Sequence, residues 1–116
     1  MKFHKDFKTP LLEEHTVRSH YKNATTRPLT GDNLIGCGEE VEITFTDDEE
    51  KKYVGIVEST EVTQFKNITR KMAQNEGYIH EDLLKHEVRH TYPDLKDTDY
   101  VIHVVFKGIY RQSITP

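Results

Sequence analysis

Apolar residues in this chain fall into patterns that predict strands more often than helices. Val41 to Phe45 reads VEITF, apolar at every second position, as a strand with one buried face requires. Tyr53 to Phe65, YVGIVESTEVTQF, is β-branched and aromatic and predicts a long strand, bent near Ser59-Thr60. Asp99 to Ile109, DYVIHVVFKGI, is a nearly continuous apolar run, so this strand is expected to be central and covered on both faces. Thr46 to Lys52, TDDEEKK, predicts a charged hairpin turn.

Helical signals are interposed between these strands. Thr9 to Lys22 predicts a helix with Thr9 as N-cap and Pro10 at its first position. The stretch NITRKMAQNEG predicts a second, opened by Asn67 and stopped by Gly77. A third, HEDLLKHEVRHTYP, is closed by Pro93. Helices interposed among strands, rather than alternating with them one for one, favour an α+β fold. A small β-barrel with attached helices fits better than a parallel α/β sheet.

Composition narrows this further. A chain of 116 residues predicts a single domain spanning 1–116 with one modest core. Only 34% of residues are hydrophobic and 31% are charged, so that core must be thin. A net charge of −4 argues against a general polyanion binder. The lone Cys37 excludes an internal disulfide and a cysteine-rich zinc cluster. The start MKFHKDFKTP lacks the apolar core of a signal peptide, and no apolar run reaches membrane-spanning length. The expectation is a soluble, cytoplasmic protein with no membrane partner and no evident obligate protein partner.

Two stretches carry candidate chemistry. His86-Glu87-Val88-Arg89-His90 spells H-E-x-x-H, the helical pattern with which zinc hydrolases hold their metal and general base. A third ligand is also needed, and after His90 only His103 remains, inside the apolar strand. On a helical wheel Leu83, Leu84 and Val88 define the apolar arc, with Glu87 inside it and both imidazoles at its margin. The match is read as accidental in a chain with seven histidines, and no metal is expected.

The second stretch is HYKNATTRP, in which Lys22, Thr25 and Arg27 form K-x-x-T-x-R at the start of an extended segment. Alternation puts Thr25 and Arg27 on one face, with Lys22 at the junction before them. A threonine hydroxyl becomes a nucleophile when a base takes its proton, and a lysine with a lowered pKa can do so. Arg27 offers donors to a carbonyl or phosphate oxygen. The spacing alone fits an ordinary polar surface strand equally well.

The order of K22-N-A-T25-T-R27, G38-E-E-V-E-I, A73-Q-N-E76-G, Y92-P and YVIHVVFKGI resembles the ASCH domain family. It is most similar to the small bacterial members that hydrolyse N(4)-acetylcytidine to cytidine and acetate. The resemblance covers roughly residues 7 to 110 and implies a PUA-like small mixed β-barrel of about six strands with flanking helices. It places the family's catalytic lysine, threonine and glutamate on Lys22, Thr25 and Glu76, and its motif arginine on Arg27. The chain departs from the family pattern in lacking a glycine before the threonine, in having Pro28 after Arg27, and in reading Gly38-Glu39 where Gly-Asp is usual, unless Gly31-Asp32 plays that part.

The implied activity is a metal-independent amidohydrolase without a cofactor, acting on a small nucleoside substrate. Lys22 would activate Thr25, Arg27 or backbone amides would stabilise the oxyanion, and Glu76 would serve the leaving nitrogen. The alternative is a non-enzymatic RNA-binding module, with RNA as partner. Lys22 and Arg27 would then contact phosphate, and Tyr21 and Tyr78 would stack on bases.

Overall fold

The computed structural model describes residues 1–3, 24–31 and 34–111. In chain order they give β1 (Lys2–Phe3), β2 (Ala24–Pro28), β3 (Glu40–Phe45), β4 (Asp48–Gln64), α1 (Arg70–Asn75), α2 (Glu81–Thr91) and β5 (Tyr100–Arg111). The helix expected over Thr9 to Lys22 lies outside the described residues. The five strands form one mixed sheet in the order β1-β3-β4-β5-β2, with β1 parallel to β3 and every other pair antiparallel. Among the described residues no helix is long and apolar enough to cross a membrane.

Alternation in VEITF does what the pattern predicts. Ile43 and Phe45 are buried, and Ile43 sits opposite Tyr53 of β4. The turn between these strands is shorter than expected. It takes only Thr46 and Asp47, and residues 48–52 continue β4, because the antiparallel ladder with β3 resumes at once at Phe45 and Asp48. Further along, the β4–β5 register slips between Ile56 and Val57 and again between Val57 and Ser59, one residue before the expected bend. Extra residues in a ladder bend the strand and sharpen its twist. Here the freed carbonyl of Glu58 accepts a bond from the Cys37 thiol at 3.0 Å. The sheet therefore curls.

One face of the curl carries an apolar cluster in which Phe3, Ile43, Phe45, Tyr53, Val57, Ile102, Val104 and Phe106 pack together. Gly55 belongs to this packing, since a Cβ there would stand 2.7 Å from Ile43 Cδ1 and 2.9 Å from the Phe106 ring. The other face is covered by the helices, which bury Met72, Ala73, Leu84 and Val88 against Phe65, Ile68 and Val101. Val101 to Phe106 are buried without a break, as their sequence predicts. The strand lies between β4 and β2, with β4 in the middle of the sheet.

The barrel expected from about six strands is, among the described residues, a curled sheet of five. Its two terminal strands meet through a side chain. Arg27 of β2 donates from Nη2 to the Lys2 carbonyl of β1 at 2.6 Å, and its guanidinium lies 4.8 Å from the centroid of the Phe3 ring. Such a charge-assisted bond with a stacked ring suits arginine and not lysine.

Both helices begin and end for identifiable reasons. α1 is opened by Thr69, whose hydroxyl accepts from the Met72 amide at 3.2 Å, and not by Asn67. Asn67 is held in a short 3₁₀ turn, because the Phe65 and Lys66 amides are tied to the carbonyls of Asp99 and Asp97. Gly77 stops the helix at φ +88°. Its amide bonds the Gln74 carbonyl and that of Tyr78 bonds the Ala73 carbonyl, the paired pattern of a left-handed glycine cap. α2 starts at His80, whose ring Nδ1 accepts from the Asp82 amide, and stops before Tyr92-Pro93. Leu84 and Val88, four residues apart, face the core. Leu83, one step of about 100° away from Leu84, is 47% exposed rather than part of the apolar arc.

Candidate functional site

The site follows from one register. Antiparallel pairing of β2 with β5 sets Thr25 opposite Val104, Thr26 opposite His103 and Arg27 opposite Ile102. Because side chains alternate, Thr25 and Arg27 share a face, and the Arg27 Nε donates to Thr25 Oγ1 at 3.4 Å. Thr26 projects the other way, beneath the helices. There it meets Glu76, which the Gly77 cap fixes at the end of α1.

The Thr26 hydroxyl donates to Glu76 Oε2 at 2.5 Å. His103 Nδ1 lies 2.8 Å from the same hydroxyl oxygen and 3.5 Å from Glu76 Oε2. On the far side of the ring, Asn75 Nδ2 is 3.2 Å from His103 Nε2. All three central residues are buried, with exposures of 5% for Thr26, 7% for Glu76 and 2% for His103. A hydroxyl has one proton to give. If Thr26 gives it to Glu76, its oxygen must accept from His103 Nδ1–H. Nε2 is then the lone pair that meets the Asn75 amide. The chain of donors runs Asn75, His103, Thr26, Glu76, and it ends on a carboxylate.

A cleft opens over this carboxylate at the edge of β2. Its walls include Thr25 and Arg27 from the strand, Glu76 and Tyr78 from the end of α1, and Glu87 and Tyr92 from α2 and its cap. Burial lowers the Arg27 pKa, opposed by the nearby Tyr92 and Glu76. Arginine keeps its charge at neutral pH even so. The Tyr78 hydroxyl is pushed up to about 12, first by burial and then by the carboxylates of Glu87 and Glu76. Tyr78 is therefore a neutral hydrogen-bond donor in the cleft.

Four residues singled out in the sequence thus share one cleft: Thr25, Arg27, Glu76 and Tyr78. Lys22 and Tyr21 lie outside the described residues. The sequence reading missed Thr26, Asn75 and His103. The signal available was His103 itself, a polar residue inside the doubly covered run VIHVVF, which requires a buried partner. The H-E-x-x-H residues do not point one way. His86 and His90 are exposed on α2, whereas Glu87 turns into the cleft. Among the described residues, no group of three His, Cys, Asp or Glu side chains could hold a metal ion. No protein-family model, curated protein or solved structure matches this chain.

Proposed function

We propose that this cleft hydrolyses an acetyl amide on the exocyclic nitrogen of a cytosine nucleoside, giving cytidine and acetate without metal or cofactor. The observation that carries this reading is a buried carboxylate, Glu76, held at the floor of a cleft whose wall presents a threonine hydroxyl beside an arginine. A carboxylate in that place can act on the leaving nitrogen. The Arg27 Nε, already 3.4 Å from Thr25 Oγ1, favours negative charge on that oxygen as it attacks. The curled mixed sheet with helices on one face supports a PUA-like architecture, and with it the ASCH resemblance.

In the proposed reaction Lys22 takes the Thr25 proton as Oγ1 bonds the acetyl carbon. The tetrahedral centre then collapses, breaking its bond to the exocyclic nitrogen as Glu76, in its acid form, delivers a proton there. Water then attacks the acetyl carbon and gives a proton to Glu76, and Lys22 returns its proton to Thr25 Oγ1 as acetic acid leaves. The cleft, about 150 Å³, lies below the roughly 300–1,000 Å³ of drug-sized pockets and suits an acetamide group with the edge of one ring. An RNA-binding module is less well served, because Glu76 and Glu87 together would repel a phosphate in this cleft.

The test is direct. Purified protein incubated with N(4)-acetylcytidine should release cytidine and acetate, and Thr25→Ala should abolish release while still binding the nucleoside. Turnover that survives Thr25→Ala would remove the threonine from the reaction. Wild-type protein that binds RNA and releases no cytidine would overturn the enzyme reading.

A further inference from the structure

The proposed reaction uses Thr25, Arg27 and Glu76, and gives no task to Thr26, Asn75 or His103. The burial of Thr26 and His103 is not explained by packing. His103 stands in a strand whose neighbours are Ile102, Val104 and Val105, and an apolar side chain at its position would need no partner. A buried imidazole left unpaired is destabilising, and here Thr26 and Asn75 meet both ring nitrogens. Those partners come from two separate elements, β2 and α1, and both lead to Glu76. Thr26 is bonded to it, and Asn75 precedes it in the chain.

We infer that Thr26 and His103 are positioning residues acting through Glu76: they orient its carboxylate toward the cleft and exchange a proton with it by way of the Thr26 hydroxyl. This rests on the amidohydrolase reading for its effect on turnover, but the proton coupling itself does not. The exchange balances. When His103 carries a proton on each nitrogen, Nδ1–H passes its proton to Thr26 Oγ1, and the hydroxyl releases its own to Glu76 Oε2. The ring is left neutral with its proton on Nε2, facing an Asn75 amide turned to present its oxygen. Glu76 becomes a carboxylic acid, able to protonate a leaving nitrogen. Running backwards, the same two transfers restore the carboxylate. A serine could replace Thr26 in this relay, and a valine of the same shape could not.

Other charges bear on the pair. Arg27 on β2 faces Glu76 across the cleft, Glu87 of α2 and the Tyr78 hydroxyl lie on its helix side, and Lys2 of β1 lines the rim. Glu61 of β4 is the cross-strand partner of His103 and is exposed. Between the two titrating side chains stands the Thr26 hydroxyl, within bonding distance of both.

The experiment is NMR titration of the His103 imidazole in the folded protein, followed by pH–rate profiles on N(4)-acetylcytidine. In wild type the ring nitrogens should report a proton on Nδ1 whenever Glu76 is a carboxylate, and Glu76→Gln should displace the ring's titration midpoint. Thr26→Val should weaken that dependence, and Thr26→Ser should keep it. In turnover, Thr26→Val should lower kcat by roughly tenfold or more, a part of the 10²–10⁴ that proton transfer contributes, and should shift the pH profile at unchanged KM. Thr26→Ser should restore both. A His103 titration identical in wild type and Glu76→Gln would overturn the coupling. Hydrolysis by wild type with the same pH profile in Thr26→Val would overturn the positioning role and leave the amidohydrolase reading intact. Wild type without hydrolysis would overturn that reading and with it the pair's role in turnover, while the titrations still decide the coupling.

Discussion

The two faces of the curled sheet bury side chains in different ways. On the face away from the helices, Phe45 lies 5.4 Å from Tyr53 in an edge-on contact and 6.1 Å from Phe3, all centroid to centroid. A charge beside this cluster is Arg27, whose guanidinium stacks on Phe3 at the rim and is only partly buried. On the helix-covered face a comparable apolar cluster is interrupted by Thr26, Glu76 and His103, joined in one chain of hydrogen bonds. Apolar burial stabilises in proportion to area, whereas a buried polar chain roughly breaks even and is costly to interrupt. The first face holds the fold, and the second spends stability to place a carboxylate.

The largest expected effect breaks the first face. Phe45→Ala removes a fully buried ring and should cost about 3–5 kcal/mol, read as a lower midpoint in urea unfolding. The protein should unfold as a whole, since Phe45 binds β1, β3 and β4 together. A smaller effect separates the faces. Gly77→Ala forces a Cβ onto φ +88° and should cost about 1–2 kcal/mol. It should also loosen the cap that holds Glu76, so turnover should fall by more than the folded fraction does. A Gly77→Ala protein with turnover in proportion to its folded fraction would show that the cap does not position the carboxylate.

How much of this could be read from the chain depends on how local each feature is. The strands at VEITF and DYVIHVVFKGI, the stop at Gly77 and the helix before Pro93 rest on alternation or on single residues with fixed backbone demands, and these were legible. The start of α1 was not, because Asn67 and Thr69 are both good caps. The choice between them is made by Asp97 and Asp99 some thirty positions later. The arc of α2 was misdrawn at Leu83, since a wheel does not say which edge of a broad apolar stripe meets the sheet. Least legible was the pairing of Thr26 with His103. It depends on a β2–β5 register between distant segments, and a slip of one residue would turn every side chain to the other face. The position of Glu76 near a threonine was expected from the resemblance. The bond reaches Thr26 and not Thr25, because alternation turns Thr26 toward the helices.

The smallest expected effect is alkaline. The Tyr78 pKa is raised above its ordinary value of 10, so the folded state holds its proton more tightly than the unfolded chain does. This contribution to stability is fully present below pH 10 and is lost as pH rises toward about 12. Because Tyr78 is only partly buried, the loss is small. Ultraviolet titration should show one tyrosine ionising late, and Tyr78→Phe should remove it and flatten stability over that window.

The measurement that tests the central claim most directly pairs turnover with stability in Glu76→Gln. Glutamine keeps the shape of the side chain and an oxygen to accept the Thr26 bond, but it cannot exchange a proton. The account predicts that release of cytidine from N(4)-acetylcytidine falls by roughly 10²-fold or more, while the unfolding free energy stays within about 1 kcal/mol of wild type or rises. Turnover near the wild-type rate in a folded Glu76→Gln protein would contradict it.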